Sequence, residues 1–559
     1  MPQTDNIPFP LSTSPGVRSQ ESAGRIINGY VEPLGEDAPT RVVRRRAPGL
    51  LNFGTTARTG PRGAIEINGT LYFAFNGQLE KFTSAGRASV NVGALTGSVK
   101  GFFARNNAVT PDQVFVSPAG DIATFTSAAV TNGYPDADLP AVNSVTSIDG
   151  YFVFTTGSGK AYASDLNSTA INPLSFGTAE AKPDGLLRAI AYGGVLFLFG
   201  AFTTEVWTDV GAIPFPFQRS TTIPRGLAGA YCVTAFEDYF SRALVWVGDD
   251  NCVYRLNGYT PEKISSPDLD GLIQAVADKS LLEMSVYMSR GHAFVLLSSS
   301  TWSWVFDLNT DKWAERNSYQ MARSRITGGI SAFNKWLCGD TLTGNVQEIS
   351  SSAFDEVGSP FRARFESAPV LKFPVGERIG RADFNFVTGV GVAVGTRTMY
   401  VLGTAAGTLG VVRLTVPSTA LVHEGDAVNV AGVLGTTEAN GTRPIHVVDA
   451  THLELIGTTF VNAYVSGGTL TILSPQDPIE TDPVVEISWS DDGGQTWASP
   501  LIRPLGKQSE TNVLVSLVAC TGRSSWNGRR WRLDISDPVY LGFMGAIQST
   551  DAQVKGRIQ

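Results

Sequence analysis

Short runs rich in Val, Phe, Tyr and Trp recur along this chain, each turned back on itself by a tight-turn pair. "GAIEINGTLYFAFNGQLEKFT", "VTSIDGYFVFTTGSGKAYASD" and "AIAYGGVLFLFGAFTTEVWTD" all read as strand, turn, strand. Several turns carry Asn-Gly or Asp-Gly (Asn68-Gly69, Asn76-Gly77, Asp149-Gly150, Asn257-Gly258), residues that tolerate the positive φ of two-residue hairpin loops. With Gly69, Gly150, Gly194, Arg242, Gly291 and Asn334 as equivalent anchors, the gaps are 81, 44, 48, 49 and 43 residues. The first gap spans two units, with the hairpin "PDQVFVSPAGDIATFT" between them. A period of roughly 40 to 50 residues carrying four strands is that of a propeller blade, which buries both faces only by stacking on its neighbours. The spacing predicts an all-β chain with a β-propeller of six or seven blades, seven preferred, over residues 55–352. An irregular stack of β-sandwiches is the competing architecture.

The rest of the chain is expected to be β as well. At 559 residues it exceeds one compact core. Only 17% of the residues are charged, against 59 Gly and 30 Pro, a composition of turns and short strands. Residues 1–54 are expected to form an N-terminal arm and extended segment. Residues 353–396 and 475–559 read as two halves of a discontinuous C-terminal β domain. Between them, 397–474 reads as an inserted small β module with its own strand and turn rhythm. Its phrase "HEGDAVNVAGVLGTTEANGT", followed by "VVDATHLEL", resembles a small β-barrel module widespread in phage structural proteins. The matching residues are His423, Gly425, Asp426, Val428, Val430, Gly432, Val433, Asn440, Gly441, Thr442, Asp449 and Leu453, all explicable as turn chemistry and core.

Composition and motifs exclude several functions. The formal net charge of −8 argues against a generally adhesive nucleic-acid binder. A weakly acidic wall beside DNA instead lets the duplex slide, because no counterion-releasing grip forms. Four cysteines (Cys232, Cys252, Cys338, Cys520) lie far apart, which predicts free, buried thiols and neither a disulfide framework nor a zinc site. The first twenty residues lack the basic and apolar regions of a signal peptide, and the longest apolar run, "GVLFLFGAF", stops at nine, well short of a membrane span of about 20. The histidines (His292, His423, His446, His452) are scattered, and neither a phosphate-binding loop nor a nucleophile elbow occurs. No catalytic, cofactor-binding or metal-binding residue is nominated, and no cofactor is expected.

One stretch invites a catalytic reading. "VVEISWS" alternates Val485, Ile487 and Trp489 with polar residues, as a half-buried strand does, and the chain then reverses at "DDGG" in "EISWSDDGGQTWASP". Ser490, Asp492, Gly494 and Trp497 resemble the Asp box of sialidases and related propellers, a hairpin fastener that lies away from their catalytic centre. The Arg-Ile-Pro phrase that announces a sialidase arginine cluster is absent. Asp184, Glu205 and Asp209 are the acids that a sialidase-like or depolymerase glycoside hydrolase, the alternative reading, would recruit. A host-surface lectin is a third, weaker reading.

A more specific resemblance covers residues 165–265. The phrases "PLSFGTAEAKPD", "LFLFGAFTTEVW", "FPFQR", "WVGDD" and "VYRLNGYTPEKIS", with "SWSDDGGQTW" and "NGRRWRLDISDPV" near the C-terminus, resemble the packaged-DNA stabilisation proteins of short-tailed phages, the tail hub or nozzle family. The insert is the chief departure from that pattern. The resemblance implies a non-enzymatic virion tail component, made in the cytoplasm of the bacterial host and without a membrane anchor. It implies a homohexameric ring beneath the portal and the head-to-tail adaptor protein. That ring would extend the channel for double-stranded DNA without reading its sequence, help retain the packaged DNA, take part in its ejection and carry tail fibres or spikes.

Three stretches are candidate interface. Arg41, Arg44, Arg45 and Arg46 in "RVVRRR" suit DNA phosphate or an acidic neighbour, or else a solvated strand end. Arg529, Arg530 and Arg532 in "NGRRWR" form a second basic patch, or an exposed strand face. Phe215 and Phe217 in "IPFPFQ" read as an apolar contact loop or as a connector tucked between blades.

Overall fold

A computed structural model of the chain describes residues 4–550 apart from 85–86, 183, 237–239, 373, 392–396, 420–421, 475–480 and 519–521. It divides into two compact units, one of residues 1–385, 486–502 and 516–559, the other of 386–485 and 503–515.

The first unit contains a seven-bladed β-propeller. Six blades are four-stranded meanders running in sequence from the axis outward, with inner strands Gly63–Ile67, Phe102–Arg105, Ser144–Ile148, Leu186–Tyr192, Val233–Phe236 and Glu283–Ser289. The seventh takes three strands from the end of the propeller (Ile326–Ala332, Lys335–Asp340, Val346–Ser350) and its fourth, Gly49–Thr55, from before the beginning. Each inner strand packs against the next, and the seventh against the first, so the ring is closed.

The middle strands explain why the blades stack. Runs such as Val195–Gly200 have no polar face because both faces are covered. Phe197 and Phe199 join the core shared with the following blades, while Leu196 and Leu198 join Val153, Ala161 and Ala163 of the preceding one. The same alternation places Phe152 and Phe154 against Val114 and Val116, and Phe73 and Phe75 against Ile330 and Leu337. The hairpins are fixed by their turns, as at Asn68-Gly69 (φ 50° and 76°) and Asp149-Gly150 (φ 51° and 88°).

Residues 4–54 are built into this unit. Arg25–Ile27 lies parallel to the outer strand of the sixth blade (Ile27 opposite Glu315), and Ala363–Glu366 pairs with its other edge. The sheet then continues through Arg530–Ile535 to residues 486–490. A second sheet joins Gly29–Pro33, Val42–Arg46 and Gly542–Ser549, with Thr4–Asn6 along its margin.

The second unit holds a seven-stranded sheet in the order Arg397–Tyr400, Ser466–Ser474, Ala427–Leu434, Gly441–Val447, His452–Leu455, Val412–Thr415, Gly403–Ala406. Backbone bonds from Val401 to Gly468 and from Leu402 to Thr415 bring its two ends together. The motif residues of this segment supply turns and core. Val428, Val430, Val433 and Leu453 are buried. The Asn440 side chain bonds both the N–H and the C=O of Val433 at 3.0 Å, and the Asp426 and Asp449 carboxylates accept backbone amides of their own turns.

Candidate functional site

Because every blade begins at the axis, the residues leading into the inner strands gather at one end of the propeller channel. Lys100, ahead of the second blade, reaches across the axis. Its ammonium pairs with Glu283 of the sixth blade and donates to Thr327 Oγ1 of the seventh at 2.8 Å. Thr327 donates in turn to Glu283 at 2.6 Å, and the Tyr231 hydroxyl, ahead of the fifth blade, donates to the Lys100 carbonyl at 2.7 Å. Arg62 holds the same connector by donating to Val99 O (2.6 Å) and Thr96 O (2.9 Å). Arg188 donates to Ala230 O at 3.0 Å with its guanidinium 4.0 Å from the Phe102 ring centre. Burial works to raise the Glu283 carboxyl, but Lys100 and Thr327 outweigh it and keep the group below the ordinary carboxylate range. A cavity of about 380 Å³ lies along the axis beside this cluster. Sequence reading missed these residues because they stand singly, each just ahead of or at the start of an inner strand.

The arginine-rich stretches lie largely inside the subunit. Arg44 and Arg46 are 5% exposed. Arg44 donates to Phe9 O and Pro10 O between the rings of Phe9 and Phe543, and Arg46 donates to Phe354 O, Ile535 O and Asp537 O. Arg45 is half-buried, paired with Glu32 and lying over Tyr540, so Arg41 alone of the four is exposed. Alternation along Val42–Arg46, paired on both sides, turns Arg44 and Arg46 inward, where they serve backbone carbonyls.

"NGRRWR" behaves in the same way. Arg529 is fully buried and makes a two-pronged pair with Asp491 (2.7 and 2.8 Å) between Trp489 and Trp531. Arg530 ties Ser19 O, Ser22 Oγ, Ser367 O and Gly493 O together. Arg532, half-buried, lies 4.3 Å from the Trp497 ring centre. Phe215 and Phe217 are buried too, in a cluster with Trp207 and Tyr151 between the third and fourth blades, and Ile213 is the exposed tip of that loop. In the subunit Arg44, Arg46, Phe215, Phe217, Arg529 and Arg530 thus face its interior.

The Asp-box-like turn is a closed hydrogen-bond knot. Ser490 Oγ donates to Asp492 Oδ1 (2.7 Å) and accepts Gly494 N (2.7 Å), while Asp492 accepts Gln495 N, Thr496 N and Thr496 Oγ1. Gly494 sits at φ 97°, and Trp497 packs under Arg532. Burial works to raise the Asp492 carboxyl, but the Thr496 hydroxyl and amide, the Ser490 hydroxyl and the Gln495 amide outweigh it and hold the group well below the ordinary range. The stability that this ionised carboxylate contributes is thus present above the ordinary aspartate value of about 3.9 and is lost as pH falls through the lowered one. Asp492→Ala is expected to cost about 1–2 kcal/mol at neutral pH. It should also flatten the acid limb of a urea-midpoint profile taken from about pH 4 downward, where the unfolded aspartate begins to take up its proton.

The acids a hydrolase would recruit are committed to local donors. Asp184 accepts Phe202 N (2.6 Å) and Thr203 N (3.1 Å). Glu205 accepts Ala181 N, Trp207 Nε1 and Arg219, and Asp209 accepts Gly211 N. His292 is buried against Asp307, whereas His446 and His452 pair with Glu424 and Asp449 on the surface of the second unit. Cys232, Cys252 and Cys338 are free thiols, Cys252 only half-buried, and Cys520 lies outside the described residues. Among the described residues no cluster of His, Cys, Asp or Glu has the makings of a metal site, and no helix is long and apolar enough to cross a membrane.

The family model described as bacteriophage P22 Gp10, β-propeller, matches residues 41–353, just over half of the chain. The tail hub protein gp10 of Salmonella phage P22 is 25% identical over 131 residues, 22% of this chain and 28% of that protein. The alignment therefore spans less than a third of the relative's length. Among solved structures, the computationally designed Ika8 protein aligns at TM-score 0.33 and 12% identity over 58% of this chain and 99% of that one. The WD40 propeller domain of Doa1 aligns at 0.36 and 9% over 54% and 97%.

Proposed function

The chain belongs to the bacteriophage P22 Gp10 β-propeller family, and from that membership we propose that it is a non-enzymatic structural protein of a phage tail, its tail hub. In this reading several copies, six by likeness to the family, form a ring beneath the portal and its adaptor. The ring prolongs the path of double-stranded DNA, helps retain the packaged genome until ejection and anchors fibres or spikes. The family match across the propeller is the observation that carries the reading. Three features support it. A closed propeller is a rigid disc suited to being one spoke of a ring. Identical subunits close a ring through heterologous contacts, each offering one surface to the next. The net charge of −8 suits a wall along which DNA slides. Arg41, and the partly exposed Arg45 and Arg532, are the members of the arginine stretches left for contacts with neighbours.

Light scattering on the purified chain, alone and mixed with the head-to-tail adaptor ring, tests this. A mass several times 59.6 kDa, reached alone or on the adaptor, is expected. A persistent monomer indifferent to the adaptor rejects the proposal.

A further inference from the structure

Two apolar faces of the first unit are exposed in the single subunit, and their charges are opposite in sign. The first lies at the end of the propeller away from the axial cluster, where each blade makes its first and third hairpin turns. Val109 of the second blade and Ile213 of the fourth are wholly or almost wholly exposed there, and Leu166 and Val210 are more than half exposed. These turns adjoin one another. Asn107 N donates to Asn167 Oδ1 at 3.0 Å across the second and third blades, and Tyr151 packs edge-on against Phe217 across the third and fourth. Asp149, Asp165 and Asp209 are exposed among them. The three carboxylates converge on the Tyr151 hydroxyl, whose proton is held more tightly by burial and then by the charges of Asp209, Asp149 and Asp165. Among the described residues none of the three acids is in an ion pair.

The second face lies beyond the outer edge of the sixth blade, where the sheet passes through Arg25–Ile27 and Ala363–Glu366 to Arg530–Ile535. Just ahead of that last strand, Val370 pairs with Arg529 and Arg378 with Arg523 in an antiparallel ladder. Leu371, Val375 and Trp526 flank it, each more than half exposed, with Leu371 lying against Gly528 and Gly376 against the backbone of Ser524. The exposed Arg378 and Arg523 are direct partners across the ladder, like charges set opposite each other at a cost in free energy. Asp5 and Glu377, the acids beside them, are taken by Lys372 at 2.9 Å. Arg523 donates to the neutral Gly376 carbonyl at 2.9 Å, and neither guanidinium is in an ion pair among the described residues. An anion placed between the two relieves their repulsion, and a carboxylate is the group an arginine fork holds best.

The sixth blade stands across the axis from the second and third, so the two faces cannot meet within one subunit. Between two copies they match in charge and in apolar character, and a contact of unlike faces is the kind that closes a ring of identical subunits. Tryptophan and arginine at its centre are the side chains that most often carry such a contact. We propose that these are the two halves of the subunit contact: the acidic face of blades two to four on one copy receives the arginine ladder and Trp526 of the next, with Asp149, Asp165 and Asp209 supplying the anions for Arg378 and Arg523. The proposal rests on the ring described under the preceding heading and gives that ring its surfaces.

Charge reversal with the full-length protein tests it, by light scattering under the condition in which the parent assembles, alone or on the adaptor ring. Asp165→Lys with Asp209→Lys makes both faces of a copy basic, and Arg378→Glu with Arg523→Glu makes both acidic. Each double variant by itself should need about tenfold or more protein to reach half assembly. Mixed in equal amounts they should assemble again, since every contact in an alternating ring then joins a basic face to an acidic one. That recovery also shows that both variants are folded. A parent that never assembles rejects the ring itself. A parent that assembles, with variants that match it, overturns the proposal and leaves the ring standing, and so does loss in both variants without recovery on mixing. Variants that assemble as the parent does while the arginine pair loses binding to a DNA duplex would assign Arg378 and Arg523 to DNA instead.

Discussion

Asp340→Ala is expected to be among the most damaging single substitutions in this chain, lowering stability by about 3–5 kcal/mol. Asp340 is 1% exposed and stands at the end of a middle strand of the seventh blade. Its carboxylate takes both prongs of Arg325 (2.9 and 2.5 Å), the Thr343 hydroxyl (2.5 Å), Leu342 N (2.9 Å) and the Gln347 amide (3.3 Å). Arg325 is itself buried and reaches on to Glu356 O, beside a Glu356 carboxylate that lies 3.6 Å from Arg316. Removing one acid strips a buried guanidinium of the partner that takes both its prongs and leaves only the longer bond to Glu356 O and the Glu356 charge to offset its desolvation, the costly way to break such a pair. The blade affected is the one that closes the ring. The loss should be read from the urea midpoint of tryptophan fluorescence, and Asp340→Asn, which keeps one acceptor, should recover part of it. A midpoint unchanged by alanine would mean that Arg325 finds another anion, contrary to the structure.

Gly329→Ala should come close to it at about 3 kcal/mol, the upper end of overpacking costs. Gly329 lies on the inner strand of the seventh blade, where that strand shifts register against its partner, and it faces the inner strand of the sixth. A methyl group there would stand 1.8 Å from the Val286 carbonyl oxygen, a backbone atom that cannot turn aside. Either the two inner strands separate or the register is lost, and both open the ring. Gly157→Ala is the control, since a methyl there meets open space, and it is expected to stay within about 0.5 kcal/mol of the parent. Similar melting temperatures for the two variants would show that the contact between the sixth and seventh blades is looser than described.

The propeller was legible because its information is local. Gly69, Gly150, Gly194, Gly291 and Asn334 all fall in turns between the first and second strands of a blade, so a spacing measured in sequence was a spacing around the ring. Arg242 falls just inside the second strand of its blade. What could not be read depends on distant partners. A guanidinium such as Arg46, satisfied by carbonyls 308 to 491 residues away, has the same local sequence as one in solvent. Arg529 and Arg530 mislead for the same reason, because Asp491 and Ser19 are neighbours only in three dimensions. The closing strand Gly49–Thr55 carries no hairpin signature, having no turn to its partner, and the cluster beside the axial cavity is assembled from single residues of separate blades.

That closing strand also sets a clock. Leu50 pairs with Ile349, so the first strand of the propeller to leave the ribosome must wait for the last. At roughly 5–20 residues per second the interval is on the order of 15–60 s. Throughout it the six preceding blades can stack while the seventh position stays open and the early strand keeps a bare edge. Closure is therefore a final event that reports completion of the whole propeller. A chain cut short before Val346 keeps its edge exposed, where it can pair with the unfinished seventh blade of another copy.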